Sequence, residues 1–302
     1  MKIEEIIAKY NYPDTLGNLL RDIYPSLVSY FGDEDLIYNA LLDTPIVLCA
    51  NVYECLVQNN MIDINDKSTV NVENLKQAGG VYCSKPDIKY KGLEKKYTIE
   101  NVKRIIAINA STFDFVATKS TLIHEICHLI KSYYNEFTIK TDTLVERSGL
   151  ITSTYHLNNQ KGIVKRTLVF ETGVGLEEGF NTVVQDEIAE KHFGKDALSI
   201  GYGLVKALSE DVKRYDDNML NEIIKAELYH DNSSLEKLMG EGYFKLIDFA
   251  DKLYKLNLEV MNFNLTDEER KAKAEEIKNF VSNNYLAIKT EIKTKSDLAR
   301  GE

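Results

Sequence analysis

The chain has 302 residues, of which 44% are hydrophobic and 28% are charged, and its formal net charge is −10. This composition is typical of a globular protein with a sizeable core, built as one large domain or as two closely packed lobes. The acidic balance argues against a nucleic-acid partner, because a negative surface repels phosphate.

The sequence contains no run of 18 uninterrupted apolar residues, so no membrane span is expected. The first ten residues are amphipathic and acidic and lack the apolar core of a signal peptide, which leads us to expect a cytoplasmic protein. The four cysteines form no Cys-x-x-Cys pair, so reduced thiols are expected rather than a disulfide framework. They are Cys49, Cys55, Cys83 and Cys127.

The first half of the chain is predicted to be mainly helical, with a small sheet late in it. Residues 1–60 carry apolar side chains at helical spacing, which predicts two or three helices, and residues 44–57 are predicted to be a buried helix. Two short segments with residues that favour strands follow, 80–83 and 102–109. They are predicted to be strands of a small sheet placed just before the next helix.

The next predicted helix, residues 118–134, contains the letters HEICH at positions 124–128. On a helix, His124 and His128 lie one turn apart on the same face, as two neighbouring ligands of a tetrahedral zinc site would. Glu125 lies about 100° further round, where a carboxylate can reach a water molecule without being a ligand itself. The apolar residues form the opposite face, so we expect the histidine face to line a cleft. Cys127 is a further possible ligand, although a reduced, half-buried thiol is the preferred interpretation.

After this helix the pattern predicts a hairpin. Residues 143–156 alternate weakly, residues 158–162 carry a turn signal, and residues 163–170 can return as the partner strand. A helix then follows over 176–193, with further helical segments at 201–230 and 234–262.

These elements predict a mostly helical α+β protein. We expect a catalytic lobe with a small antiparallel sheet over residues 1–195 and a helical C-terminal subdomain over residues 196–302.

Two histidines need a third protein ligand to make a catalytic zinc site. One version of the motif continues with a glycine and a third histidine, but Lys131 and Tyr134 occupy those positions. Another version takes a glutamate from a later helix, and residues 176–182, LEEGFNT, offer one. This segment resembles the Glu-Gly-aromatic signature of the gluzincin metallopeptidases, including their aminopeptidase branch.

The resemblance implies a zincin-like fold, bound Zn²⁺ and a peptide or protein substrate. It also implies that Glu178, directly before Gly179, is the third ligand, while Glu177 is the competing choice. We expect Gly179 to let this helix approach the first ligand helix closely. Asn181 and Thr182 stand where gluzincins often carry an acidic residue that orients the histidines, so the orienting group is not identified.

In the implied mechanism, Glu125 accepts a proton as zinc-activated water attacks a peptide carbonyl. A second electrophile is expected at the carbonyl oxygen, and Tyr155 on the hairpin is the first choice. The alternatives are His156, Tyr229 and His230. The family often binds an extended peptide along the strand before the first helix, and residues 102–109 are placed in sequence to serve as that edge.

Two other interpretations stay open. The chain could be a catalytically silent metalloprotease-like protein that binds or regulates a partner, although the intact His124, Glu125, His128 and Glu178 weigh against a dead site. It could also be a helical structural protein with a coincidental motif, which predicts that no metal binds. The preferred hypothesis is a zinc-dependent peptidase.

Overall fold

The structure is a computed structural model that describes residues 2–62, 75–76, 78–92, 94, 96–113, 115–160, 163–195, 202–216, 218–261 and 265–300, with side chains as far as 292. Helices make up 62% of it and the strands form two small sheets, which confirms the mostly helical α+β class. In the described part of the chain, no helix combines the length and apolar character needed to cross a membrane.

Three helices begin the chain: α1 (Lys2–Tyr10), α2 (Asp14–Phe31) and α3 (Glu34–Asp43). The predicted buried helix over 44–57 is wrong in its first part, because β1 (Ile46–Cys49) is a strand there. Helix α4 (Val52–Gln58) begins only after Asn51, whose side chain accepts a hydrogen bond from the Glu54 N–H at 3.0 Å. This N-cap sets the boundary that apolar spacing alone does not show.

The first sheet is three-stranded, with β2 (Gly80–Lys91) and β3 (Lys96–Asn109) joining β1 in the order β1-β3-β2. Strand β1 runs parallel to β3 and β2 runs antiparallel to it, so this sheet is mixed rather than purely antiparallel. The predicted strands at 80–83 and 102–109 are confirmed and extend further. However, residues 106–108 of the predicted peptide-binding edge 102–109 are paired on both sides, so this part cannot bind a further strand.

Helix α5 (Val116–Ser132) carries the histidine motif and is buried on nearly every side. Its apolar face is inside, as predicted, but Ser120, Lys131 and Ser132 on the polar side are also at most 2% exposed. The polar side of α5 is therefore covered over most of its length, and the cleft at the histidine face stays a prediction. Only His128 among the motif's three functional residues is half-buried rather than buried.

The second sheet has four strands in sequence order: β4 (Glu136–Lys140), β5 (Thr143–Ser148), β6 (Ile151–Gln160) and β7 (Ile163–Thr172). The predicted pairing is confirmed as β6 with β7. The predicted turn over 158–162 is wrong in its first part, because residues 158–160 belong to β6, and residues 161–162 lie outside the described residues. The first predicted arm is two strands rather than one. They are separated at Gly149, whose φ of 59° favours glycine.

The remaining elements are helices: α6 (Val174–Phe193), α7 (Gly203–Lys213), α8 (Met219–Tyr229), α9 (Ser233–Met239), α10 (Glu241–Val260) and α11 (Asp267–Arg300). Helix α11 begins with the motif Thr266–Glu269, in which the Glu269 N–H donates to the Thr266 hydroxyl at 3.3 Å and the Thr266 N–H donates to the Glu269 carboxylate at 2.8 Å. This reciprocal pair is a capping box. The predicted boundary after residue 195 adjoins residues 196–201, which lie outside the described residues.

The chain divides into two compact units. The first comprises Met1–Glu146, Ser153–Phe170 and Val184–Leu198, and the second comprises Arg147–Thr152, Glu171–Val183 and Ser199–Glu302. Small apolar clusters lie on the sheets of the first unit, one around Ile105 and Cys55 and another around Leu144 and Leu157. The second unit has one larger core, in which Leu176 and Phe180 pack with apolar residues of α7 to α11.

Candidate metal centre

Helix α5 brings the two motif histidines together. Their Nε2 atoms are 3.1 Å apart, and their rings meet edge to face. Two nitrogen ligands of a tetrahedral zinc ion are separated by about 3.3 Å, since each Zn–N bond is 2.0–2.1 Å long. The two nitrogens therefore stand close to the spacing that a shared metal requires. The i, i+4 spacing on one helix is sufficient to produce this arrangement.

Glu178 on α6 completes a cluster with His124 and His128. One ligand atom from each of these residues lies within 4.8 Å of the other two. Two imidazoles and a carboxylate form a donor set found in catalytic zinc sites, so this group could hold a metal ion. Cys127 is fully buried and does not belong to the cluster. All four cysteines are free thiols.

Glu177, the competing ligand, has a different role. Its side chain is 1% exposed, and its Oε2 accepts a hydrogen bond from the Leu150 N–H at 2.9 Å. A Cβ built on Gly149 would lie 2.9 Å from Glu177 Oε1, so this glycine makes room for the carboxylate. Adjacent helical residues point about 100° apart, and the structure assigns Glu178 to the histidines and Glu177 to the Gly149 turn.

Gln185 contacts the Nδ1 side of the His124 ring, which the sequence pattern does not predict. Its Oε1 lies 2.9 Å from His124 Nδ1, and its Nε2 donates to the Ser120 hydroxyl at 2.7 Å. An acceptor at Nδ1 places the ring proton there and leaves the Nε2 lone pair for a metal. Thr182 does not have this role, because its hydroxyl donates to the Glu178 carbonyl one turn back. The available signal was helical spacing, since Gln185 is seven residues after Glu178 on the same face.

Glu125 is held by the edge of the first sheet. Its Oε2 accepts a hydrogen bond from the backbone N–H of Tyr82, on β2, at 2.6 Å, and Glu125 is 9% exposed. The Tyr82 hydroxyl accepts a hydrogen bond from Ser132 at 2.7 Å, so one residue joins β2 to α5 at two points. Burial raises the pKa of the Tyr82 phenol. The bond to Tyr82 fixes one carboxylate oxygen of Glu125 next to the histidine pair.

The beginning of α6 is capped by Asp251 of helix α10. Its carboxylate accepts hydrogen bonds from the N–H groups of Gly173 and Gly175, each at 2.8 Å, and from the Thr172 hydroxyl at 3.1 Å. The first N–H groups of a helix have no partner within the helix, so an outside carboxylate stabilises this end. Glu178 is only one turn further along.

Gly179 permits a close helix approach, but not the predicted one. A Cβ at this position would lie 2.5 Å from the Val205 carbonyl oxygen and would also collide with the Ser209 hydroxyl. Both residues belong to α7. The missing side chain therefore allows α6 to pack against α7, and the expectation that Gly179 serves the approach to the histidine helix is wrong.

The sequence candidates for a second electrophile lie in different surroundings. Tyr155, on β6, is half-buried, packs against the Leu144 and Leu157 cluster, and has the Arg166 guanidinium 5.1 Å from its ring centre. His156 is exposed, with its Nδ1 3.6 Å from Asp142. Their role at the carbonyl oxygen stays a prediction.

The other two sequence candidates lie at the end of α8. Tyr229 is 54% exposed. His230 is buried, with its Nδ1 3.4 Å from the Gly149 carbonyl oxygen.

Tyr254 is a further phenol that the sequence did not single out. It lies on α10 and packs against the core of the second unit. Burial raises its pKa, and the negative charge of Glu178 adds to the rise, as does a smaller contribution from Glu171. The phenol of Tyr254 therefore stays protonated at neutral pH.

No protein-family model, no curated protein and no solved structure matches this chain.

Proposed function

We propose that the chain is a zinc-dependent peptide-bond hydrolase of the gluzincin type, with His124, His128 and Glu178 as the metal ligands. The observation that carries the proposal is the meeting of these three residues from two separate helices. A coincidental HExxH would not require a glutamate from a helix fifty residues later to join the histidines. The Glu178–Gly179 pair is also the one that the resemblance to gluzincins selects.

The choice of zinc follows from the donors. Imidazole nitrogens together with one carboxylate suit Zn²⁺ better than Ca²⁺ or Mg²⁺, which favour oxygen ligands. The hydrogen bond between His124 and Gln185 fits a ligating histidine, since such residues usually pass their other ring proton to an outer acceptor. Bound zinc would supply Lewis acidity and lower the pKa of a coordinated water toward neutrality.

In this proposal Glu125 acts as the general base. The Tyr82 N–H occupies its Oε2, which orients the carboxylate and leaves Oε1 to take a proton from the attacking water. The same oxygen can then pass the proton to the departing amine. Burial at 9% exposure limits competing hydrogen bonds from solvent, which makes the carboxylate a more effective acceptor.

Two phenols compete for the role at the carbonyl oxygen. Tyr155 is the sequence choice, and Tyr254 is a candidate because burial, and after it the charge of Glu178, raises the pKa of its phenol and keeps it protonated. A protonated phenol can donate a hydrogen bond to the oxygen that gains charge during attack. Replacing each by phenylalanine separates them, because the residue that acts lowers kcat while zinc content and folding are unchanged.

The experiment that tests the proposal compares Glu125→Gln with the parent protein. Zinc per chain is measured on both proteins, and cleavage of an unfolded protein and a mixed peptide pool is followed by mass spectrometry. We expect about one zinc per chain in both, with turnover lowered by about 10²–10⁴-fold in the variant, since a general base contributes that much. Turnover retained in Glu125→Gln would refute the assigned mechanism.

A second candidate function is a metal-binding protein without turnover. The burial of Glu125 and of the polar side of α5 favours it, because a substrate must reach the catalytic carboxylate. This alternative predicts bound zinc, no cleavage of any peptide in the pool, and no difference between the parent protein and Glu125→Gln. Absence of zinc from both proteins would exclude both functions.

A further inference from the structure

Strand β7 exposes an unusual run of apolar side chains. Leu168, Val169 and Phe170 are consecutive and are 39%, 66% and 59% exposed, and Ile163 at the start of the strand is 65% exposed. In a strand with one buried face, alternate residues are covered, so three exposed neighbours mean that both faces are open at this point. Exposed apolar runs of this kind usually mark an interaction surface.

The position of β7 in its sheet points to strand pairing. Among the described strands, β7 lies at one edge of the four-stranded sheet and pairs with β6, while β4 lies at the other edge. Strand β4 has five residues, and its exposed side chains are Glu136, Thr138 and Lys140. Short length and outward charges protect an edge against pairing. Strand β7 has ten residues and an exposed apolar run beside its charges, so it is less protected than β4.

We propose that two copies of this chain associate through antiparallel pairing of their β7 strands about a two-fold axis. The two four-stranded sheets would then form one continuous eight-stranded sheet. The pairing would satisfy the backbone N–H and C=O groups of both edges and cover the exposed run on each copy.

Charge complementarity selects a register. In a two-fold antiparallel pair, facing residues lie on the same side of the sheet, so their numbers differ by an even amount. With Leu168 on the axis, Lys165 of one copy lies opposite Glu171 of the other, and this occurs twice. Arg166 cannot take this place, because it differs from Glu171 by an odd number of positions. Opposite charges that face each other across a strand pair stabilise it.

The same register also suits the apolar run. Leu168 meets its own copy, Val169 faces Thr167, and Phe170 faces Arg166, whose guanidinium already lies over the Tyr155 ring. Aromatic and β-branched residues stabilise cross-strand pairs.

The test measures the mass of the full-length protein in solution by analytical ultracentrifugation over a range of concentrations. The parent protein is expected to shift reversibly to twice the mass of one chain. The variants Lys165→Glu and Glu171→Lys each place like charges opposite one another, and each is expected to raise the dimer Kd about tenfold. The double variant restores both opposite-charge pairs and is expected to return to the Kd of the parent protein.

The matched control is Lys140→Glu, which makes the same charge change on the opposite edge of the same sheet and should leave the dimer Kd unchanged. Val169→Lys provides an independent check, since it places a charge in the apolar run and should give a monomer with an unchanged circular dichroism spectrum. A parent protein that stays monomeric at all concentrations overturns the proposal. A dimer whose Kd responds to Lys140→Glu but not to the β7 variants also overturns it. These outcomes are independent of zinc content and hydrolysis, so the proposed function can fail without affecting this inference.

Discussion

The two helices that carry the proposed ligands are positioned in different ways. On α5, the spacing of His124 and His128 is a property of the helix itself, and contacts from Tyr82 and Gln185 then orient the neighbouring carboxylate and one imidazole. On α6, tertiary contacts rather than local spacing bring Glu178 to the histidines, and the hydrogen bonds of Gln185 to His124 and Ser120 are among them. The Asp251 cap at the helix start and the packing at Gly179 hold the first turns of α6.

The positions of the proposed ligands are therefore determined in two ways, by local sequence spacing and by tertiary packing. The histidine pair is specified by five consecutive positions, so it forms wherever the helix forms. The glutamate is specified by tertiary packing, so residues distant in sequence control it. We expect changes around α5 to act mainly on metal chemistry, and changes around the start of α6 to act mainly on folding stability.

The largest expected effect is on zinc affinity, and it should differ between variants of the two adjacent glutamates on α6. Glu178→Ala removes a proposed ligand and should lower zinc affinity by more than the 10–100-fold that loss of an outer partner typically costs. Glu177→Ala should keep the zinc but lower the free energy of unfolding by about 1–3 kcal/mol, because the buried Leu150 N–H loses its acceptor. Zinc titration and urea unfolding measure the two quantities. The opposite assignment would be shown by zinc loss in Glu177→Ala with zinc retained in Glu178→Ala.

The fold was predictable from sequence where one element specifies itself. The helix over the HEICH motif, the β6 and β7 pairing and the helical second half follow from local periodicity. Residues 44–57 were misassigned because a short apolar run such as Ile46–Cys49 suits a buried helix and a buried strand equally. Only its parallel partner, residues 106–109, makes it a strand, and that partner is sixty positions away.

In the candidate site, too, the sequence predicts what local spacing specifies and not the contacts between distant residues. His124, Glu125 and His128 could be read directly from their spacing, and Glu178 could be named only through the resemblance to gluzincins. The sequence does not single out Gln185, because a glutamine on a buried helix face has many uses and its partner is 61 positions away. The contact of Gly179 with α7 rather than α5 could not be predicted either, since a glycine signals close approach without naming the neighbour.

Gly179→Ala tests the packing side of the comparison. The added methyl group would collide with the backbone carbonyl of Val205, which cannot move aside as a side chain can, so we expect a loss of about 1–3 kcal/mol in unfolding free energy. Gly203→Ala is the control, because a Cβ there has no neighbour within 4 Å and alanine favours a helix. If Gly179→Ala instead lowered zinc affinity without changing stability, the glycine would serve the ligand helices after all.

Gln185→Leu tests whether contacts around α5 act on metal binding. Leucine keeps a similar volume but cannot accept the His124 Nδ1 proton, so zinc affinity should fall about 10–100-fold while the helix content is unchanged. Gln185→Glu keeps an acceptor and should retain most of the affinity, and Glu190→Ala, an exposed change on the same helix, should have no effect. Equal zinc affinity in the parent protein and Gln185→Leu would show that His124 is oriented without Gln185.

The smallest expected effect is at the helix cap. Asp251→Ala removes the acceptor of two N–H groups at the start of α6 and should lower the unfolding free energy by about 0.5–2 kcal/mol, as loss of a helix cap does. The control is Asp248→Ala, an exposed aspartate one turn earlier on the same helix, which should change stability by less than about 0.5 kcal/mol. A zinc affinity that falls in step with stability would show that the cap also positions Glu178. An equal loss of stability in both variants would mean that the negative charge of α10, rather than the cap geometry, stabilises the start of α6.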